Sequence, residues 1–223
     1  FTAWALYILC KNLVLNKKNS LACSLVFLFM PAVSFSSFII STDIFLLLFW
    51  TLSLNELIKI KESPNKKSFI LLGIFLGLAF LSKYAAIYFI ICLLIYILKD
   101  NKFKKLFIKN YFNFLLSLLC VFIILFPNII WNFENGWITF KHTSDNASLN
   151  NIKINLYRGF EFIGIQILMV GPLLFVGALF NYKKLHVSEN QKILLIFSIP
   201  IFVIVFIEAI IVRANANWAA PAL

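Results

Sequence analysis

An all-α, polytopic transmembrane helical bundle is the fold class this sequence predicts, and three observations predict it. Hydrophobic residues make up 62% of the chain and charged residues 13%, with a mean hydropathy of +0.93. A water-soluble globule of 223 residues cannot bury that much apolar surface. Apolar runs also alternate with short basic clusters, "CKNLVLNKKN" at 10–19, "KIKESPNKK" at 59–67, "KDNKFKKLFIK" at 99–109 and "YKKLHVSENQK" at 182–192. Finally, the distances between clusters suit pairs of helices, as expected if every cluster stays on the cytoplasmic side.

The elements follow in order. Residues 1–15 read as the end of an inward span, and 21–58, 38 residues, as a hairpin turning at Ser41, Thr42 and Asp43. Residues 68–98 number 31. As one helix they would measure about 46 Å against a hydrocarbon core of roughly 30 Å, requiring a tilt near 50°, beyond the usual range. Two helices of about 15 residues turning near Ser82, Lys83 and Tyr84 fit better, with Gly73 and Gly77 in GxxxG spacing to let them pack closely. Residues 111–131 then cross outward, 132–158 form an outer loop, 159–181 return, and 193–212 cross outward again. The total is about eight spans in one transmembrane domain, 1–223, expected to be an internal segment incomplete at both ends.

This topology leaves five cations outside (Lys83, Lys141, Lys153, Arg158 and Arg213) and the other fifteen of the twenty Lys and Arg inside. The net charge of +11, which in a soluble domain would suggest nucleic acid, is here a topology signal, and nucleic acid is excluded as a partner. Cys10, Cys23, Cys92 and Cys120 lie in or beside apolar runs without CxxC spacing, so neither a zinc site nor a disulfide framework is indicated. No P-loop, GxSxG, HExxH or dinucleotide fingerprint occurs.

Polar groups gather at the outer ends of the predicted spans. Asp43 suits the first turn of a helix, where Ser41, Thr42 or Asp43 could cap the free N–H groups, and it equally suits a polar cavity. Lys83 either snorkels to the interface or, recessed between two short helices beside Tyr84, meets a lipid phosphate. In the outer loop, Trp131, Phe133, Trp137 and Phe140 alternate with Asn132, Asn135, Lys141 and His142. Such rings are interfacial anchors or a platform for a sugar or headgroup. His142 is isolated, open to metal ligation or to none; no cofactor is specified, a divalent metal being compatible. Glu208, near the outer end of its span, is expected to pair with Arg213 or to line a wet cavity, with Asn215, Asn217 and Trp218 following.

Four stretches in this order, "STDIFLLLFWTLSL", "GIFLGLAFLSKYAAIYF", "PNIIWNFENGWITFKH" and "ANWAAPA", resemble the bacterial relatives of dolichyl-phosphate-mannose protein mannosyltransferases. These are polytopic glycosyltransferases of the GT-C type, a group that includes the aminoarabinose transferases acting on lipid A. The resemblance runs along nearly the whole chain. It implies a bacterial inner-membrane enzyme that takes a sugar from a polyprenyl-phosphate carrier and passes it to a lipid, glycan or protein acceptor on the outer face. It implies further that Asp43 is an acidic position facing the active-site cavity and that Lys83, in the "GLxxLxK" pattern, lies near the carrier phosphate. The first acidic position, in an earlier outer loop, is expected upstream of Phe1.

Residue chemistry converges on this reading, since glycosyl transfer from a phosphate needs a carboxylate for the acceptor proton and cations for the leaving group. Asp43, Lys83, Lys141 and Arg213 supply them on the outer face. The rival is a membrane transporter or a lipid or glycan flippase, which predicts inverted repeats and midplane charge. Pro31, Pro172 and Pro200 fall within spans, but no repeat is evident. A non-catalytic assembly protein, the third reading, predicts that substituting Asp43 or Lys83 leaves glycan phenotypes unchanged.

Overall fold

The computed structural model describes residues 1–13, 15–39, 41–146, 154–181, 188, 190–212 and 214–222. Arg213, Lys153 and most of the cluster at 182–192 lie outside the described residues. Among the described residues every regular element is helical: α1 (Thr2–Asn12), α2 (Lys17–Phe29), α3 (Pro31–Ile39), α4 (Thr42–Glu62), α5 (Lys66–Ser82), a 3₁₀ turn (Tyr84–Ala86), α6 (Ile87–Lys99), α7 (Asn101–Lys109), α8 (Tyr111–Glu134), α9 (Ile138–Asn146), α10 (Leu156–Val170), α11 (Pro172–Asn181), α12 (Lys192–Ile196), α13 (Ile199–Ile211) and a 3₁₀ segment (Ala216–Ala222).

Local chemistry sets the boundaries. Asn16, Asn65 and Asp100, each beside a basic cluster, cap the helices that follow them by accepting N–H bonds from Asn19, Ser68, and Lys102 with Phe103. Burial acts to raise the carboxyl of Asp100. The backbone N–H groups of Phe103 and Lys102 and the charge of Lys61 outweigh it and hold Asp100 below the usual carboxylate range. Pro31 and Pro172 open α3 and α11, where a missing N–H costs nothing.

Two helices, Tyr111–Glu134 and Lys192–Ile211, are long and apolar enough to cross a membrane alone, and up to five segments qualify if each bent pair is one span. The eight expected spans are therefore not all of spanning length. The first arm of the 21–58 hairpin bends by 61° between α2 and α3, and the returning segment bends by 97° between α10 and α11, at Gly171 with φ 103°. Between α6 and α7 the chain turns by 109°. α7 buries Phe103 and exposes Lys102, Lys104 and Lys105, an amphipathic helix suited to an interface plane. α8 leaves Phe112, Phe122, Ile123 and Phe126 open along its outer side, an apolar face for lipid.

The α5–α6 break falls where length arithmetic put it, and α6 has only 13 residues, about 20 Å, so the turn sits below the reach of a full span. Gly73 and Gly77 bring α5 onto α8 rather than onto α6. A Cβ at Gly73 would strike the Ser117 carbonyl oxygen and come to 2.8 Å from the Cys120 Cβ, and Ser117 Oγ donates to Phe69 O at 2.7 Å across the same contact. The core is stitched by rings: Phe89 meets Trp50 at 5.0 Å and Phe197 at 4.8 Å, joining α4, α6 and the α12–α13 junction.

Contacts divide the bundle into two ends. Lys61 to Asp100 (4.0 Å) and Asn12 to Asn55 (2.6 Å) gather the basic turns at one end. At the other, the start of α4, the α5–α6 turn, the end of α8 and the last 3₁₀ segment meet.

Candidate functional site

Helix α5 stops at Ser82, whose Oγ donates to Leu78 O at 2.8 Å, and Lys83 leaves in extended backbone, φ −164° and ψ 135°. That break turns the lysine back toward the start of α4. Lys83 Nζ donates to Asp43 Oδ1 at 2.6 Å, and Asn217 Nδ2 of the last 3₁₀ segment donates to Asp43 Oδ2 at 2.8 Å. The Asp43 side chain is 6% exposed and that of Lys83 21%. A carboxylate in the first turn of α4 also lies at the positive end of the helix macrodipole, so three favourable terms converge on one buried anion.

This geometry corrects the capping expectation. Ser41 holds the N-cap position without a side-chain cap bond, and Asp43 spends its oxygens on Lys83 and Asn217. Lys83, read from the sequence as an interfacial anchor or a phosphate-facing cation, is here one half of a part-buried ion pair.

In front of Lys83 opens a cavity of about 830 Å³, lined by residues from the end of α5, the 3₁₀ turn, α6, α8, α9, α13 and Trp218. Lys83, Tyr84, His142 and Trp218 line it as candidates from sequence; Thr42, Tyr88, Asn128, Thr139 and Glu208 join them. Asp43 and Asn217 sit behind the lining. Tyr84 anchors the wall: its ring stacks on Phe140 at 5.0 Å, and its hydroxyl lies 3.2 Å from both Asn128 Oδ1 and Thr139 Oγ1. Asn132, fully buried, donates to Asn128 O at 3.0 Å and accepts from Thr139. These amides sit one turn apart on α8; from the sequence Asn132 reads as part of the outer loop and Asn128 is not singled out, although a polar pair inside an apolar span is itself a signal.

Trp137, 42% exposed with φ 58°, packs edge-on against Phe140 at 5.4 Å, and Lys141 is exposed; neither lines the cavity. The expected pairing of Glu208 with Arg213 falls on a residue outside those described; Glu208 lines the cavity and accepts from the Tyr88 hydroxyl at 3.4 Å. Gln166 Nε2 of α10 donates to Ala216 O of the last segment, and Arg158 Nη1 of α10 donates to Val212 O at the end of α13, both at 2.8 Å. Among the described residues no three His, Cys, Asp or Glu come together in a way that could hold a metal ion.

The cluster is therefore a charge-neutral ion pair at the edge of a large, mixed polar and aromatic cavity. The family profile for dolichyl-phosphate-mannose-protein mannosyltransferases matches residues 1–131, which include Asp43, Lys83, Tyr84, Tyr88 and Asn128. The lipid A galacturonosyltransferase RgtD of Rhizobium johnstonii is 28% identical over 200 residues, covering 86% of this chain and 41% of that protein. The chain thus spans about two fifths of the length of that relative. No solved structure matches. With more than half of its residues matched by the profile, this membrane chain belongs to the dolichyl-phosphate-mannose-protein mannosyltransferase family, among the GT-C glycosyltransferases.

Proposed function

We propose that the chain is part of a membrane glycosyltransferase that moves a sugar from a polyprenyl-phosphate carrier to an acceptor on the outer face of the bacterial inner membrane. The observation that carries this reading is the Asp43–Lys83 pair at the rim of the cavity, 2.6 Å, on a turn recessed between short helices. An ammonium has three donors. One goes to Asp43, which leaves two for a phosphate in the cavity that Lys83 lines, where negative charge grows as the bond to the anomeric carbon breaks. Asp43 acts through Lys83 and Asn217 as a positioning residue. Tyr84, His142 and Trp218 offer the wall for the donor, and Trp137, Lys141 and Arg213 remain binding candidates from the sequence alone, on its expected outer face. The relative's name puts lipid A first among the acceptor classes, ahead of a glycan or protein.

The full-length protein in liposomes, given a labelled polyprenyl-phosphate sugar and a lipid extract as acceptor, is expected to form a covalent labelled product. Movement of the intact carrier between leaflets without transfer would establish the flippase reading instead.

Orientation follows from the basic end. In this reading α1, α2–α3, α4, α5, α6, α8, α10–α11 and α12–α13 make eight passages, with the basic turns in the cytoplasm and the cavity outside. A cysteine placed at Ser144 is expected to react with an impermeant thiol reagent from outside, and one at Asn65 is not. The reverse pattern would overturn the orientation.

A further inference from the structure

We propose that Gln166 of α10 is a positioning residue for transfer, acting on Lys83 through the last 3₁₀ segment and Asn217. The proposal rests on the glycosyl-transfer reading above and adds to its machinery a residue from a helix that contributes nothing to the lining of the main cavity. Gln166 is 5% exposed and stands in the apolar run "FIGIQILMV". An amide at that depth is costly unless its donors are met. Its Nε2 donates to Ala216 O at 2.8 Å and lies 3.7 Å from Met169 Sδ, a weak acceptor. The strong bond therefore leaves α10 and ends on a backbone carbonyl of the segment Ala216–Ala222.

That carbonyl is the one next to Asn217. The Ala216 C=O and the Asn217 N–H belong to one rigid peptide plane, so a bond that fixes the carbonyl fixes the plane from which Asn217 departs. Asn217 Nδ2 in turn donates to Asp43 Oδ2 at 2.8 Å, and Asp43 Oδ1 holds Lys83 Nζ at 2.6 Å. Packing alone does not set this line. Beside Gln166, Ala219 and Ala222 border an apolar cavity of about 340 Å³, so the short segment meets open space there in place of close-packed side chains. The segment is held between two polar bonds, Gln166 on one side and Asp43 on the other. Losing the first lets Asn217 shift, and with it the carboxylate that aims the ammonium; a misplacement of about 1 Å at such a group costs up to about a hundredfold in rate.

The test uses the full-length protein in liposomes with a labelled polyprenyl-phosphate sugar and a lipid extract as acceptor, rates being normalised to folded protein in the membrane. Gln166→Met, close in volume and without a donor, is expected to lower kcat about tenfold while donor KM changes about twofold or less. Asn217→Ala is expected to lower kcat by a similar factor. Adding Gln166→Met to Asn217→Ala is expected to cost about threefold or less further, because the route through Asn217 is already cut, whereas a purely structural role in α10 multiplies the two losses to about a hundredfold. Gln166→Asn, whose amide stops one methylene short of Ala216 O, replaces the Met variant in both backgrounds if that variant does not accumulate, with the same expectations. An unchanged kcat in either single variant, or a further loss above about threefold in the Asn217→Ala background, overturns the proposal while leaving glycosyl transfer standing. Absence of transfer by the unaltered protein overturns the glycosyl-transfer reading, and this proposal with it.

Discussion

Lys83→Ala is expected to abolish donor-dependent transfer and to lower the amount of folded protein in the membrane, with the second effect larger than for the reciprocal loss of Asp43. The asymmetry comes from burial. The Asp43 side chain is 6% exposed against 21% for Lys83, so removing the lysine strands the deeper charge with Asn217 as its remaining partner. Breaking a buried pair from one side costs about 3–5 kcal/mol, because the group left behind is uncompensated. Lys83→Arg retains the charge and should recover folded protein, but its planar fork does not reproduce a single ammonium bond of 2.6 Å, so transfer is expected to recover only in part. The double substitution Asp43→Asn with Lys83→Met separates the two roles. It leaves no buried charge and an acceptor for Asn217, so membrane yield should return while transfer stays lost. Transfer by Lys83→Ala at the unaltered rate, measured with the polyprenyl-phosphate donor, would remove Lys83 from the site.

The α5–α6 turn was legible because length alone decides it: a 31-residue run does not fit one span, and the polar residues within it mark the break. The helix starts at Asn65 and Asp100 are local too, each made by a side chain reaching two or three residues ahead, but there the sequence reads only as basic clusters between spans. What joins Asp43 to Lys83 and Asn217 is not local. The partners lie 40 and 174 residues away, and nothing in either stretch specifies the other. Glu208 shows the same limit. Hydropathy gives its depth, but a helix apolar on every side gives no azimuth, so the sequence could not say that it reaches Tyr88, 120 residues earlier in the chain. The bends at Pro31 and Pro172 were hidden differently. Pro200 sits in the first turn of α13, where it is tolerated, so the presence of a proline does not separate a bent span from a straight one.

Asp43→Asn is expected to keep membrane yield close to the unaltered protein while lowering kcat by about ten- to a hundredfold with a smaller change in donor KM, the loss coming from a misplaced ammonium. The carboxylate accepts two hydrogen bonds, from Lys83 and from Asn217. An asparagine has one acceptor oxygen, and its amide is a donor. Lys83 cannot accept, so the oxygen must serve the lysine, and Asn217 can turn its own amide to meet the new donor. The cluster therefore stays bonded and folded. What is lost is the charge that fixes Lys83, and with a neutral partner the ammonium is free to move within the cavity, so the phosphate no longer meets it in one place. Asp43→Ala goes further, since it removes both acceptors and leaves Lys83 and Asn217 unpaired, at about 1–3 kcal/mol each, so yield should fall together with kcat. If Asp43 served only the first turn of α4, its charge would contribute about 0.3–1 kcal/mol through the macrodipole and Asn would substitute silently. A kcat for Asp43→Asn equal to that of the unaltered protein, at matched membrane yield, would reduce the aspartate to that helical role and detach Lys83 from any dependence on it.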